Sequence, residues 1–261
     1  MKSYIAITGA SQGIGEQIAY LYANKEYNLI LIARNNEKLE IIKKKIEETY
    51  KVNVVILSLD LSFENNITKL IAELEKYNLY ALINNAGFGY YHLVKEQDIE
   101  KVKKMIDLNV KAVTLLSTYF VNKYIETKTK RVLINVSSSG GYINVPNAVT
   151  YCATKFFVSS FTEGLALELK NIDSKLEVKV VAPSVTKTSF GSVASGISNY
   201  EYEKIFTKFN TAEEIALMTD ELIDSDKIVA YVNRDSYEFE FTDNKFDYDD
   251  TRLKTENNAN N

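Results

Sequence analysis

Short apolar, β-branched runs alternate along the chain with longer segments in which apolar residues recur at helical spacing. The runs cover residues 4–8, 28–33, 52–57, 79–84, 131–136 and 176–182, and each is bounded by turn-forming or polar residues. Between them lie helical stretches at about 13–24, 37–50, 64–77, 97–126 and 150–171. Alternation of this kind predicts successive βαβ units, hence an α/β fold whose central parallel sheet carries helices on both faces. Such a sheet is doubly wound, with its ligand bound outside the carboxyl ends of the strands where the winding direction reverses.

The pattern loosens after Pro183. Residues 184–200 are rich in Ser, Thr, Gly and Val, too polar for a core element and long for a simple connection. Long connections in compact domains are often lids or binding loops, so 184–210 is read as a substrate loop. A helix at 211–224 and a strand at 227–232 follow, and residues 251–261 read as a polar, frayed tail. No break in composition divides the chain, which predicts one domain over residues 1–250.

Composition then removes several function classes. The chain has 261 residues, 46% of them hydrophobic and 25% charged, with a net charge of -4. That balance gives no footprint for nucleic acid, and Lys43-Lys44-Lys45 reads as the solvated face of a helix. No apolar run approaches the ~20 residues that span a bilayer, and no secretory signal precedes the first strand, so a cytoplasmic protein without membrane contact is expected. The single cysteine, Cys152, has no intramolecular partner, and with one histidine, His92, a zinc site is not expected. Cys152 reads as a small packed residue rather than a nucleophile.

Candidate chemistry begins at the end of the first strand, where Thr8-Gly9-Ala10-Ser11-Gln12-Gly13-Ile14-Gly15 runs straight into a helix. A glycine turn in that position lets backbone N–H groups approach a pyrophosphate at the positive end of the helix. Gly9, Ser11, Gln12, Gly13, Ile14 and Gly15 are therefore candidate cofactor contacts. At the end of the second strand, Ile32-Ala33-Arg34-Asn35 supplies a guanidinium where folds selecting NAD place an acid. Arg34 can pair with a 2′-phosphate, so NADP (NADPH) is preferred over NAD.

A second constellation lies further on. Tyr151 stands four residues before Lys155, and Ser138 thirteen residues before the tyrosine. Four similar pairs, Tyr91/Lys95, Tyr119/Lys123, Tyr124/Lys128 and Tyr200/Lys204, lack a serine at that distance. On a helix, Lys155 shares a face with Tyr151 and is expected to favour the ionised phenol, whose ordinary pKa of ~10 is high for proton exchange near neutrality. A serine hydroxyl aimed at the same point stabilises a carbonyl oxygen as it gains negative charge.

With these residues in place the chain resembles the short-chain dehydrogenase/reductase family, in its single-domain branch of Rossmann-type fold. The resemblance runs from Thr8 to about Thr188 and also includes Asp60, Asn84-Asn85-Ala86-Gly87 and Asn109. It implies that Asp60 and Leu61 hold the adenine, that Asn85, Ala86 and Gly87 line the adenosine side of the cleft, and that Asn84 braces the central strands. Asn109 would hold a water linking Lys155 to solvent. Lys155 would bind the nicotinamide ribose, Tyr151 would give a proton to the substrate oxygen and Ser138 would orient it. Pro183 would be a further cofactor contact, the backbone of Thr186 would meet the nicotinamide carboxamide and the Thr188 hydroxyl would help. The chain departs from the family at Ser184, which stands where glycine is usual, so the local turn is expected to differ.

Substrate selection in this family lies in the loop after Gly87 and the segment after Pro183. Phe88-Gly89-Tyr90-Tyr91-His92-Leu93-Val94 and residues 190–209 bring aromatic and apolar side chains, which point to an apolar or aromatic carbonyl or alcohol substrate. A 3-oxoacyl thioester is the nearest alternative, and an NADP-sensing protein without catalysis is a second. The helix continuing from Tyr151 through Phe156, Phe157 and Phe161 is apolar over more than one face. In the family that helix and the one carrying Asn109 pack against a second subunit, implying a homodimer or a homotetramer.

Overall fold

A computed structural model describes residues 3–172 and 174–249; the predicted tail at 251–261 lies outside the described residues. In chain order the first half comprises β1 (Tyr4–Thr8), α1 (Gly13–Asn24), β2 (Asn28–Ala33), α2 (Asn36–Tyr50), β3 (Val54–Ser58), α3 (Glu64–Leu74), β4 (Leu79–Asn84) and α4 (Ile99–Ile106). A π-helical turn (Asp107–Ala112) joins α4 to α5 (Val113–Tyr124), followed by β5 (Arg131–Val136), α6 (Val149–Asn171) and β6 (Leu176–Ala182). The remainder is β7 (Thr186–Lys187), α7 (Phe190–Ser195), α8 (Tyr202–Ile205), β8 (Asn210–Thr211), α9 (Ala212–Asp224), β9 (Val229–Val232) and β10 (Phe239–Thr242).

Among the described residues eight strands form one sheet in the order β10-β9-β6-β5-β4-β1-β2-β3. All neighbours pair parallel except β10, which runs antiparallel to β9. This is the doubly wound Rossmann-type fold, with β10 an unexpected antiparallel edge. Chain order reverses between β1 and β4, so the crevice belongs above the carboxyl ends of those two strands.

The strands are apolar on both sides because both sides are covered. Ile5, Ile7, Leu29 and Leu31 face a layer containing α1, α2 and α9, while Ala6, Ile30, Ile32 and Leu82 face α3, α5 and α6. Alternate residues of one strand thus enter opposite cores, as a two-residue side-chain period demands. Each fully buried aliphatic side chain contributes ~1.5–3 kcal/mol, which fixes the strand register and the position of the crevice. Among the described residues, no helix is long and apolar enough to cross a membrane.

Candidate active site

The turn between β1 and α1 forms the floor of a cleft of about 340 Å³. Gly9 (φ 69) and Gly13 (φ 60) both adopt left-handed backbone, which glycine takes without strain. A Cβ on Gly9 would lie 2.9 Å from Ala86 Cα, so the β4 end can come this close only to a glycine. Thr8 makes the same junction from its side chain, its Oγ1 accepting from the amides of Asn85 (3.0 Å) and Ala86 (2.9 Å). Asn85 returns the link, Nδ2 donating to Thr8 O at 2.9 Å.

The side chain of Gln12, the N-cap of α1, makes no capping hydrogen bond. The first-turn amides of α1 therefore face the cleft at the positive end of the helix, a seat for a pyrophosphate. Gly9, Ser11, Gln12, Gly13, Ile14, Arg34, Asp60, Leu61, Asn85, Ala86, Gly87 and Thr188 all line the cleft. Gly15 is outside this lining: its Cβ would lie 2.5 Å from Gly9 O, so it serves close packing of helix on turn. Pro183 and Thr186 also lie outside it. Both are buried, Pro183 O accepting from Ser139 N at 2.7 Å and Thr186 Oγ1 donating to Ser184 O at 3.0 Å. Ser184 is not among the described residues with positive φ, so serine occupies this turn without strain.

Sequence reasoning missed Lys38 beside Arg34. Asn35 caps α2, its Oδ1 accepting from Lys38 N at 2.9 Å, and Lys38 Nζ donates to Gln12 Oε1 at 3.1 Å across the cleft. No local signal marks it, because the helix-start signature after an Asn N-cap is an acidic or amide side chain rather than a cation. Phe190 and Val193 line the cleft from α7, so the segment read as a loop is partly helical.

The second constellation meets the cleft at Gly87. A Cβ there would lie 3.1 Å from Asn109 Oδ1 and 3.5 Å from Lys155 Nζ. Asn109 sits in the π-helical turn, a widened geometry common where a side chain is re-aimed at a functional site. Its Nδ2 donates to Phe88 O (3.0 Å) and Thr154 Oγ1 (3.1 Å), while its Oδ1 accepts from Phe88 N (3.1 Å). Thr154 Oγ1 donates in turn to Tyr151 O at 2.7 Å, tying Asn109 to α6. Below, Asn84 Nδ2 donates to Asn135 Oδ1 at 2.9 Å and braces β4 on β5.

Tyr151 and Lys155 share one buried face of α6, being 5% exposed each. Ser138 follows β5, its Oγ accepting from Gly140 N at 3.1 Å. A Cβ on Gly140 would lie 3.6 Å from Ser138 Oγ and 3.7 Å from Tyr151 Cε1, so serine and tyrosine border one small space. Tyr91 and Phe190 close that space, each ring centroid 5.6 Å from that of Tyr151.

The electrostatics differ from the expectation that Lys155 lowers the phenol. Burial pushes Tyr151 above its ordinary range, opposed by hydrogen bonding to Ser138. Burial also pushes the Lys155 ammonium down, to about 8. Lys155 Nζ lies 6.0 Å from the Tyr151 ring centroid and donates to Val136 O at 2.8 Å. Desolvation is thus the leading cause at both side chains, and it favours the neutral phenol of Tyr151.

The fold and this site define a Rossmann-type α/β protein with a glycine-lined cleft and a Ser-Tyr-Lys cluster adjoining it at Gly87. A family model described as short chain dehydrogenase matches residues 3–195, and the chain belongs to that family. A very-long-chain 3-oxoacyl-CoA reductase of Vanderwaltozyma polyspora is 34% identical over 203 residues, 72% of this chain and 58% of the relative. An 11-beta-hydroxysteroid dehydrogenase of Pinus massoniana is 34% identical over 182 residues, 69% of this chain and 50% of the relative. The matches thus span half to three-fifths of these relatives' length. Among solved structures, a short-chain dehydrogenase from Sphingobium yanoikuyae in complex with NADPH superposes with TM-score 0.81 at 23% identity, covering 99% of this chain and 93% of that one. An alcohol dehydrogenase from Thermococcus sibiricus complexed with 5-hydroxy-NADP gives 0.78 at 24% identity, covering 95% and 100%.

Proposed function

We propose that the protein is an NADPH-dependent reductase of apolar carbonyl compounds, with Tyr151 as its acid/base. The observation carrying this reading is that Asn109 and Lys155 meet the cleft at Gly87 while Ser138 and Tyr151, the latter on the same face of α6 as Lys155, border one small space beside Gly140. The glycine cradle and the open first turn of α1 fit a dinucleotide, whose nicotinamide when bound supplies the reducing equivalent. Tyr151, kept protonated by burial, donates its phenolic proton to the carbonyl oxygen as that oxygen gains charge. Ser138 donates a hydrogen bond to the same oxygen. Lys155, with its cation above the β5 end, supports the negative charge left on the phenol.

Arg34 and Lys38 support the choice of NADPH. Both are exposed and line the cleft where β2 ends, and together they give two cations for a 2′-phosphate. Tyr91 and Phe190 against Tyr151 favour an apolar or aromatic substrate. A long-chain 3-oxoacyl thioester is the second reading, favoured by the relative in Vanderwaltozyma polyspora and by exposed Val193, Ile197 and Ile205 in the substrate segment. For assembly, exposed Phe157 stacked on Phe161 at 5.7 Å, with exposed Leu115 on α5, supports a homodimer through α5 and α6.

The test is cofactor oxidation with NADPH and NADH against bulky ketones, aromatic aldehydes and 3-oxoacyl thioesters. Turnover with NADPH at least about tenfold above NADH is expected, and Arg34→Ala should erase most of that margin. Tight NADPH binding without turnover on any of these substrates would favour a sensing protein instead.

A further inference from the structure

Glu163 lies on α6 outside the Ser-Tyr-Lys cluster, and it is 2% exposed. Its Oε1 accepts from Tyr142 Oη at 2.6 Å, and its Oε2 accepts from the backbone amides of Lys245 (2.7 Å) and Phe246 (3.0 Å). All three donors are uncharged. A carboxylate is costly to bury and is retained where its hydrogen bonds are strong, so this one marks a junction the fold holds closed. The junction joins the segment after β10 to Tyr142. Phe246 stacks on the Tyr142 ring at 5.2 Å with 29° between planes, and Lys245 Nζ lies 5.5 Å above the same ring.

Tyr142 ends the turn that begins at Ser138. Gly141 N donates to Ser138 O at 2.8 Å and Tyr142 N to Ser139 O at 3.1 Å, so the backbones of Ser138 and Tyr142 belong to one hydrogen-bonded turn. Gly141 fits beneath this turn because a Cβ there would meet Lys155 O at 2.7 Å. We propose that residues 243–249 form a positioning strap: Glu163 and Phe246 clamp Tyr142, and the clamped turn aims the Ser138 hydroxyl. Tyr142, Glu163 and Phe246 are positioning residues. The kinetic part of this proposal rests on the reductase reading.

The test uses the full chain with Phe246→Ala, Tyr142→Phe and their combination. Amide exchange at Gly140, Gly141 and Tyr142 should accelerate about tenfold or more in Phe246→Ala, because a local opening is then easier. kcat should fall about tenfold, a loss typical of a misaimed group. NADPH affinity should stay within about twofold, since the change lies outside cofactor binding. The two substitutions should be non-additive because they open one link, and Phe246→Tyr should restore kcat. Unchanged exchange at Gly140–Tyr142 overturns the strap. Faster exchange with unchanged kcat overturns its service to Ser138. If the unaltered protein reduces no carbonyl, the reductase reading has failed, and exchange alone decides the strap.

Discussion

Lys155 is a buried cation with a pH-dependent consequence for stability. Its ammonium is lowered by burial to about 8, against an ordinary lysine value of ~10.4. Between those values the unfolded chain binds more protons than the folded one, so stability rises with pH across that window. Urea titrations from neutrality upward should show this rise in the native chain and its absence in Lys155→Met. Gly87→Ala tests the seam between cleft and cluster. Its Cβ would sit 3.1 Å from Asn109 Oδ1, and kcat should fall about tenfold or more with little change in thermal stability. Residues recognised by type and spacing, such as Gly9, Ser138, Tyr151 and Lys155, were legible in the sequence. Lys38, Thr154 and Glu163 were not, because their roles come from neighbours 26, 45 and 82 or more positions away.

At the scale of elements, the alternating apolar runs located β1, β2, β4, β5 and β6 to the residue, while β3 begins at Val54 rather than residue 52. The predicted helix at 97–126 is divided by the π-helical turn at Asp107–Ala112. No local pattern encodes that turn; the bonds of Asn109 to Phe88 and Thr154 hold it. β10 was missed because Phe239-Glu240-Phe241-Thr242 is short and half-buried, and becomes a strand by pairing with β9. α9 was legible from its start: Thr211 and Glu214 form a capping box, Glu214 N donating to Thr211 Oγ1 at 3.1 Å. Thr211→Ala should destabilise by ~1 kcal/mol. A scan should read this as a melting shift of about 2–4 °C.

For the whole molecule, strand order explains why distant motifs meet. The reversal between β1 and β4 opens one crevice, and the glycine turn after β1, Gly87 after β4 and Ser138 after β5 all emerge at that edge of the sheet. The class of fold was legible because parallel strands buried on both faces leave a strong pattern. The segment after Pro183 was not, since α7, α8, β7 and β8 are short and its aromatic residues pack on one another, as Tyr200 does on Tyr202 at 4.9 Å. If α5 and α6 pair two copies, light scattering should give a dimer, and Phe157→Glu should give a monomer with its cofactor affinity retained. Reduction with Tyr151 as proton donor is the chemistry proposed for this site. Its most direct measurement uses NADPH deuterated at nicotinamide C4 with a bulky aromatic ketone, followed by mass analysis of the alcohol. Deuterium should appear on the carbinol carbon, and Tyr151→Phe should slow its appearance by ~10²–10⁴-fold while binding NADPH normally. Deuterium transfer at an unaltered rate in Tyr151→Phe would mean that Tyr151 is not the proton donor.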